Sequence, residues 1–249
     1  MLERWDARSF LGGALAAAGL MAVAWAGDAR RRRRRNRRLH RTMVDLLLNA
    51  ITSGDAATAR HSRRVANLTD ALAEPLGLGR EERATLRVAS LLHDMGKIDD
   101  RFFDIVHSHG SLDDRQRNEI RNHPHESAHI LEPMERIHPG ITAMVSSHHE
   151  CWDGSGYPEG LRGKEIPLGA RLIAVADVFD ALSQPRPYRG PLPADEVRKQ
   201  IRQGAGRHFD PRIVALVERP RVWARWTEVA RRGCDEESRA MRREDQVST

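Results

Sequence analysis

The side chains best suited to chemistry begin with His93 and Asp94, at the end of the apolar run that starts at Leu91. Neighbouring residues on a regular helix point about 100° apart, so an adjacent imidazole and carboxylate reach one ion most easily where a helix ends. Gly96 lies two residues after Asp94, where the chain can turn. A neutral imidazole combined with a carboxylate favours Mn, Fe or Zn over Ca.

Other histidines have neighbours that are typical of metal ligands. The tandem pair His148-His149 precedes a loop rich in glycine and proline, residues 153–160. Taken alone, each candidate also fits an ordinary surface or capping residue, and spacing does not separate the two interpretations. Five of the 12 histidines and two carboxylates are the candidate ligands, namely His61, His93, His123, His148, His149, Asp94 and Asp177.

A lysine follows the His-Asp pair in a chain that otherwise prefers arginine. Only Lys97, Lys164 and Lys199 are lysines among 41 basic residues. Lys97 stands three residues after Asp94, which indicates that a compact ammonium, rather than a planar guanidinium, is needed there.

Length and composition predict one domain of ordinary size with an additional anchor or tail. The chain has 249 residues, and its hydrophobic content of 40% is sufficient for a core. The two cysteines, Cys151 and Cys234, exclude a disulfide framework and favour a reducing, cytosolic environment for the main domain.

The positive charge is concentrated in one short segment. Residues 28–41 contain nine arginines and one aspartate, which exceeds the net charge of +6 for the whole chain, so the remainder is slightly acidic. A domain that binds a nucleic acid polymer would spread its basic residues over a folded face. We therefore expect no nucleic acid polymer as a partner.

An uncharged apolar run, Phe10–Ala26, precedes these arginines. Its length is at the short end for a membrane-spanning helix of about 20 residues. We predict a short N-terminus with a transmembrane anchor in residues 1–27 and an arginine-rich juxtamembrane linker in 28–41, which would also attract anionic headgroups. By the positive-inside rule the protein would be a single-pass protein of the inner membrane with its main domain in the cytoplasm. The alternatives are a cleaved signal peptide and a start codon that is not the physiological one.

Helical periodicity dominates the remainder, and no alternation of strands and helices occurs, so we predict an all-α fold. The predicted domain covers residues 42–217, with Asp55 or Thr58 capping its second helix. His123-Pro124 is predicted to end a helix, because the residue before proline avoids the α region. The highly charged tail, 218–249, is predicted to be a frayed helix or disordered.

The most apolar stretch of the domain, Leu168–Leu182, contains Asp177 and Asp180. Burying two carboxylates without partners is costly, so we expect at least one of them to meet a cation.

Taken in order, these motifs resemble those of the HD-GYP family, a branch of the HD-domain metal-dependent phosphohydrolases. The likeness runs from about Ala59 to Val217, and the block from the tandem histidines to Tyr157-Pro158 is its most specific part. The motifs that carry it are His61-Ser-Arg-Arg-Val65, His93-Asp-Met-Gly-Lys97, His123-Pro124, His148-His-Glu-Cys-Trp-Asp-Gly-Ser-Gly-Tyr-Pro158, Ala174-Val-Ala-Asp-Val-Phe-Asp-Ala-Leu182, Arg186-Pro-Tyr-Arg189 and His208-Phe-Asp-Pro211.

The resemblance implies an HD-type helical bundle with a binuclear metal centre, Fe or Mn, that hydrolyses cyclic di-GMP to pGpG, with GMP as a further product left open. One metal would be bound by His61, His93, Asp94 and Asp177. A second would be bound by His123, His148 and His149, with Asp94 bridging the two.

The resemblance also implies roles around the metals. Lys97 would act with Asp94 in catalysis by facing the phosphate oxygens, Arg186 and Arg189 would contact phosphate, and Tyr157 could stack on the substrate. The loop Gly156-Tyr157-Pro158 is a candidate surface for partner proteins.

Two departures from the family pattern leave alternatives open. Some members hold a third metal on a glutamate one turn before the first histidine, where this chain has Ala57, so we expect two metals. The segment after Lys97 differs from the usual sequence, so a catalytically weak cyclic di-GMP receptor remains possible. A second alternative is an HD hydrolase that acts on another cyclic dinucleotide.

Overall fold

A computed structural model describes residues 25, 27–28, 31–32, 35, 38, 42–53, 55–98, 102, 105, 113–185 and 189–247, the last seven of these as backbone only. The chain divides into two compact units, Met1–Leu47 and Leu48–Thr249. Residues 42–53 are helical. The second unit contains the candidate site.

Helices dominate the second unit. The α-helices are α1 (Ala56–Ala73), α2 (Arg80–Leu92), α3 (Asp114–Ile120), α4 (His123–Leu131), α5 (Ile141–Ser146), α6 (Leu168–Ser183), α7 (Ala194–Gln203), α8 (Pro211–Val217) and α9 (Pro220–Val247). Short 3-10 turns occur at Met95–Ile98, Glu132–Met134 and Gly163–Glu165. Among the described residues there is no strand, only an isolated bridge between Ala205 and Phe209. The predicted all-α fold is confirmed.

Helix α1 is the centre of the bundle. It packs mainly against α2, α6 and α9, and its apolar residues Val65, Leu68 and Leu72 are fully buried at helical spacing. Asp55 caps its first turn by accepting the backbone N–H groups of Ala57 and Thr58, so the first of the two predicted caps is the correct one. This central helix carries His61 into the interior.

The structure reverses the prediction made for His123-Pro124. The preceding helix α3 ends at Ile120, and His123 is the first residue of α4 rather than the last of α3. Proline is tolerated in a first turn, because the N–H groups there have no partner within the helix. As a result His123 is buried at a helix start.

The C-terminal segment is helical from Pro220 to Val247 and has buried side chains as far as Glu237, so of the two predicted alternatives the helix is correct and disorder is wrong. Helix α9 runs unbroken for 28 residues from Pro220. Its Trp226 is fully buried, and the indole Nε1–H donates to the carbonyl oxygen of Leu68 on α1 at 3.0 Å. Val222 and Trp226 anchor the first turns of this otherwise charged helix in the core.

No helix among the described residues is long and apolar enough to cross a membrane. The predicted span Phe10–Ala26 lies outside the described residues except for Trp25.

Candidate metal centre

Asp94 lies between two groups of imidazoles. Helix α2 ends at Leu92, and His93 and Asp94 occupy the turn before the 3-10 segment Met95–Ile98. One carboxylate oxygen of Asp94, Oδ1, lies 3.2 Å from His123 Nε2 and 3.8 Å from His148 Nε2. The other, Oδ2, lies 3.5 Å from His93 Nε2 and 3.9 Å from His61 Nε2. The two oxygens therefore face different sides of the site.

We call one side the His61 group, which consists of His61, His93, Asp94 and Asp177. Donor atoms of the first three lie within 4.8 Å of one another, and all three residues are buried. Asp177 Oδ1 lies 3.3 Å from His61 Nε2. The structure thus brings together four residues that come from α1, the end of α2, and α6.

The opposite side is the three-histidine group, His123, His148 and His149, whose donor atoms also lie within 4.8 Å of one another. His123 Nε2 is 3.4 Å from His148 Nε2 and 3.2 Å from His149 Nε2. The Nδ1 atoms of His123 and His148 donate to the carbonyl oxygens of Ile120 and Val145, each at 2.6 Å. These backbone contacts fix the rings with Nε2 directed at the centre.

Both groups fit a metal ion. His93 Nε2 and Asp94 Oδ1 are buried polar atoms without a hydrogen-bond partner. His123 Nε2 is close to Asp94 Oδ1, but the two lack hydrogen-bond geometry. An unsatisfied buried polar atom costs about 1–3 kcal/mol, which a cation at this position would offset. Imidazole nitrogens with carboxylate oxygens are a donor set for Mn, Fe or Zn.

The electrostatics of the two groups differ. Burial lowers the pKa of His149 to about 3 and the pKa of His148 well below its usual value. Burial also opposes a charge on His61, but the Asp177 and Asp180 carboxylates outweigh it and raise the pKa of His61 to about 9. His148 and His149 are therefore neutral at pH 7, whereas His61 is held between carboxylates.

Sequence reasoning missed the partners behind His61. His61 Nδ1 lies 2.8 Å from Asp180 Oδ2, and Asp180 accepts hydrogen bonds from Arg64 Nε at 2.7 Å and Nη2 at 3.0 Å. Asp177 and Asp180 both meet a cation, as the apolar stretch around them indicated for at least one. The position of Asp180 in that apolar stretch indicated a buried carboxylate that needs a partner. No nearby sequence pattern identified Arg64 as that partner.

Polar and aromatic side chains surround the centre. Lys97 Nζ lies 2.7 Å from Asp94 Oδ2, with its side chain 24% exposed. Tyr157 stacks on His149, with ring centroids 4.9 Å apart, and the guanidinium of Arg121 lies 5.4 Å from the Tyr157 centroid. Sequence reasoning did not single out Arg121.

Of the two arginines predicted to bind phosphate, the structure describes only Arg189. Arg189 is exposed, and its Nη2 donates to the carbonyl oxygen of Ala181 at 2.9 Å. Arg186 lies outside the described residues.

Glu150 holds the loop that carries Tyr157 in place. This buried carboxylate accepts the backbone N–H groups of Glu159 at 2.7 Å and Gly160 at 3.1 Å. Gly156 passes so close to the backbone of Glu150 and Cys151 that a Cβ atom would clash there. The loop is therefore seated directly beside the three-histidine group.

The chain matches a protein family model and is similar to curated proteins. The HD domain family model matches residues 45–213. The chain is 37% identical over 183 residues, 73% of its length, to the cyclic di-GMP phosphodiesterase response regulator RpfG of Xanthomonas campestris, and covers 48% of that protein. It is 36% identical over 183 residues, again 73% of its length, to the 3'3'-cGAMP-specific phosphodiesterase 2 of Vibrio cholerae, and covers 35% of it.

A solved structure also matches. Bd1817, an HDG"Y"P protein of Bdellovibrio bacteriovorus, superposes with a TM-score of 0.52 at 25% identity, over 64% of this chain and 51% of that chain. The chain thus spans less than half of the length of the two curated relatives and about half of the solved structure. Because the matched region contains both imidazole groups and the Tyr157 loop, the chain belongs to the HD domain family, in its HD-GYP branch.

Proposed function

We propose that this chain is a metal-dependent phosphodiesterase that hydrolyses cyclic di-GMP to linear pGpG, with GMP as the alternative end product. The observation that carries the proposal is the buried Asp94 carboxylate, which presents one oxygen to each imidazole group. The name of the Xanthomonas relative supports the choice of substrate.

We propose a binuclear centre, with Fe or Mn as the metals because the donors are imidazoles and carboxylates. His61, His93, Asp94 and Asp177 would hold one ion, and His123, His148 and His149 the other, with Asp94 shared. Two neighbouring metals supply a nucleophile from water at neutral pH and stabilise charge on the attacking and leaving oxygens.

The chain's own side chains would bind and orient the dinucleotide. Lys97 places a partly exposed ammonium beside Asp94, where it can stabilise charge that develops on phosphate oxygens. Tyr157 presents an aromatic ring for base stacking, a contact worth about 1–3 kcal/mol per base. For Arg186 and Arg189 we propose phosphate contacts, since a guanidinium binds phosphate with two parallel hydrogen bonds.

A second candidate substrate is a mixed cyclic dinucleotide. The Vibrio relative is named for 3'3'-cGAMP, and its identity to this chain is almost equal to that of the Xanthomonas relative. The two substrates share the phosphodiester and differ in one base. Discrimination between them would therefore depend on the residues around Tyr157 rather than on the metal ligands.

The test uses the full chain, loaded anaerobically with Fe(II) or Mn(II) and supplied with each dinucleotide in turn. We expect linear product from cyclic di-GMP and loss of turnover in Asp94→Ala, with Asp114→Ala, an exposed aspartate, as the matched control. Faster cleavage of 3'3'-cGAMP would favour the second candidate. Tight binding of cyclic di-GMP without product would instead favour a receptor.

For the N-terminus we propose a single-pass anchor in the inner membrane that leaves the catalytic domain in the cytoplasm. Support comes from the apolar run Phe10–Ala26 and the arginines that follow it. Recovery of the full chain in the salt-washed membrane fraction, but of a variant lacking residues 1–27 in the soluble fraction, is the expected result.

We also propose that the loop Gly156-Tyr157-Pro158 contacts partner proteins. Its glycine and proline residues and its fixed seat on Glu150 support a rigid recognition surface. Substitutions in Glu159, whose side chain is exposed, are expected to weaken such an interaction without loss of metal.

A further inference from the structure

Helix α9 is in direct contact with the buried arginine that supports the metal centre. Glu237 on α9 accepts a hydrogen bond from Arg64 Nη1 at 3.0 Å. It also accepts two from Arg60, from Nε at 3.0 Å and from Nη2 at 2.7 Å. Arg64 and Glu237 are each only 7% exposed. The pair is therefore an internal contact rather than a surface ion pair.

The same arginine connects this contact to His61. Arg64 donates through its other nitrogens to both oxygens of Asp180, and Asp180 Oδ2 lies 2.8 Å from His61 Nδ1. An unbroken series of charged contacts thus runs from Glu237 through Arg64 and Asp180 to a candidate metal ligand. Its ends come from helices that are far apart in the sequence, since Arg64 and Glu237 are separated by 173 positions.

The backbone of α9 is also adapted to this contact. Gly233 lies one turn before Glu237, and a Cβ atom there would be 2.6 Å from Arg64 Cδ and 2.6 Å from Gln184 Oε1. Glycine inside a helix costs about 1 kcal/mol relative to alanine. The close approach to Arg64 accounts for a residue that helix propensity disfavours.

Charge balance explains why Arg64 needs two carboxylates. Burial opposes the guanidinium charge, and Asp180 and Glu237 together outweigh it and raise the pKa of Arg64. If Glu237 is neutralised, Arg64 retains Asp180 alone, and Asp180 is then drawn more strongly to Arg64 and less to His61. The orientation of the His61 ring depends on that second contact.

We propose that Glu237 is a positioning residue for His61, which acts through Arg64 and Asp180 to direct His61 Nε2 at Asp94 and Asp177. The inference rests on the proposed function only in that His61 is a metal ligand. Loss of a partner bonded directly to a ligating histidine, here Asp180, changes metal affinity by about 10–100-fold, and Glu237 acts on that contact through Arg64.

The effect is confined to one side of the centre. His123 and His148 are oriented by the backbone carbonyls of Ile120 and Val145, which Glu237 does not touch. Loss of the Glu237 charge therefore weakens the metal of the His61 group and leaves the metal of the three-histidine group unchanged. A merely structural role for α9 would affect both metals alike.

The test is Glu237→Gln in the full chain, titrated with Mn(II) in competition with a chelator and followed by EPR. Glu236→Gln is the matched control, because Glu236 is the adjacent residue on α9 and is exposed. We expect one of two Mn(II) ions to bind up to about 10-fold more weakly in Glu237→Gln, the lower end of the range for a direct partner of the ligand, and both to bind normally in the control. Normal binding of both ions, or equal weakening of both, would overturn the proposal.

A second variant and the measurement of metal binding without substrate make the outcome unambiguous. If Glu237→Gln does not fold, Glu237→Asp retains the charge with a shorter reach and is expected to weaken the same single ion. Metal binding is measured without substrate, so a chain that binds both ions but cleaves no dinucleotide would contradict the proposed function alone. A wild-type chain that binds no ion at His61 would overturn the positioning role.

Discussion

The two sides of the metal centre are built in different ways. In the three-histidine group, His123 and His148 donate to carbonyl oxygens three positions earlier in the chain, so local backbone geometry fixes the rings. In the His61 group, the ring of His61 is fixed by Asp180, a side chain 119 positions away. Burial lowers the pKa of His148 and His149 on one side, whereas His61 on the other side lies in a network of charged side chains. The difference lies in one ring: His61 depends on the packing of distant helices, whereas His93, like His123 and His148, is oriented by a backbone carbonyl three positions earlier.

Asp94 is the residue shared by the two sides, and its replacement is expected to have the largest effect. Asp94→Asn retains the shape but removes the charge that faces both groups. We expect a loss of kcat of about 10³-fold or more, since metal stabilisation of the transition state is worth several kcal/mol. Metal analysis and turnover of cyclic di-GMP are the measurements. Asp114→Asn, which changes an exposed aspartate, is expected to behave as wild type.

Removal of one ligand from each side sharpens the comparison. We expect His149→Ala and His61→Ala each to lose one metal and to lower kcat by about 10²-fold. Only His61→Ala is expected to lower the free energy of unfolding of the metal-free protein markedly, because it leaves Asp177 and Asp180 without their shared cation.

Urea unfolding in the presence of a chelator measures this difference. His129→Ala is the control, as His129 is exposed. Equal destabilisation by the two ligand variants would contradict the distinction between a local and a long-range side.

The junction between the two sides is tested by Gly96→Ala. A Cβ atom at Gly96 would lie 2.6 Å from the carbonyl oxygen of His123 and 2.7 Å from the backbone nitrogen of Ser127. Gly96 N–H also donates to Ser127 Oγ at 2.8 Å, so the two segments are in close contact here. We expect thermal unfolding to show a loss of about 1–3 kcal/mol. Gly190→Ala, where no atom lies within 4 Å, should leave stability unchanged.

The smallest expected effect concerns the aromatic side chain that covers only the three-histidine group. Tyr157→Ala removes a ring that stacks on His149, and we expect KM for the dinucleotide to rise about tenfold with a smaller change in kcat. Steady-state kinetics give the result. Tyr157→Phe retains the ring and is expected to stay near wild type. An equal loss in both variants would assign the effect to the hydroxyl instead.

The family resemblance identified seven candidate ligands that the structure brings together, whereas sequence reasoning missed the charged partners on distant helices. Asp55 as a cap and the helical class follow from short patterns, and the structure agrees with both. His123-Pro124 was misplaced because proline is compatible with both the end and the first turn of a helix. Glu237 could not be identified, because its partner lies on α1 and no local pattern indicates which charge on an exposed-looking helix is buried.

The contact between Arg64 and Glu237 has a consequence for the order in which the protein is made. All seven candidate ligands and Asp180 leave the ribosome before Glu237, which is synthesised 173 positions after Arg64. Until then Arg64 has only one of its two carboxylate partners, Asp180. The side built from local backbone can mature early in translation, whereas the His61 side is completed only when the last helix emerges.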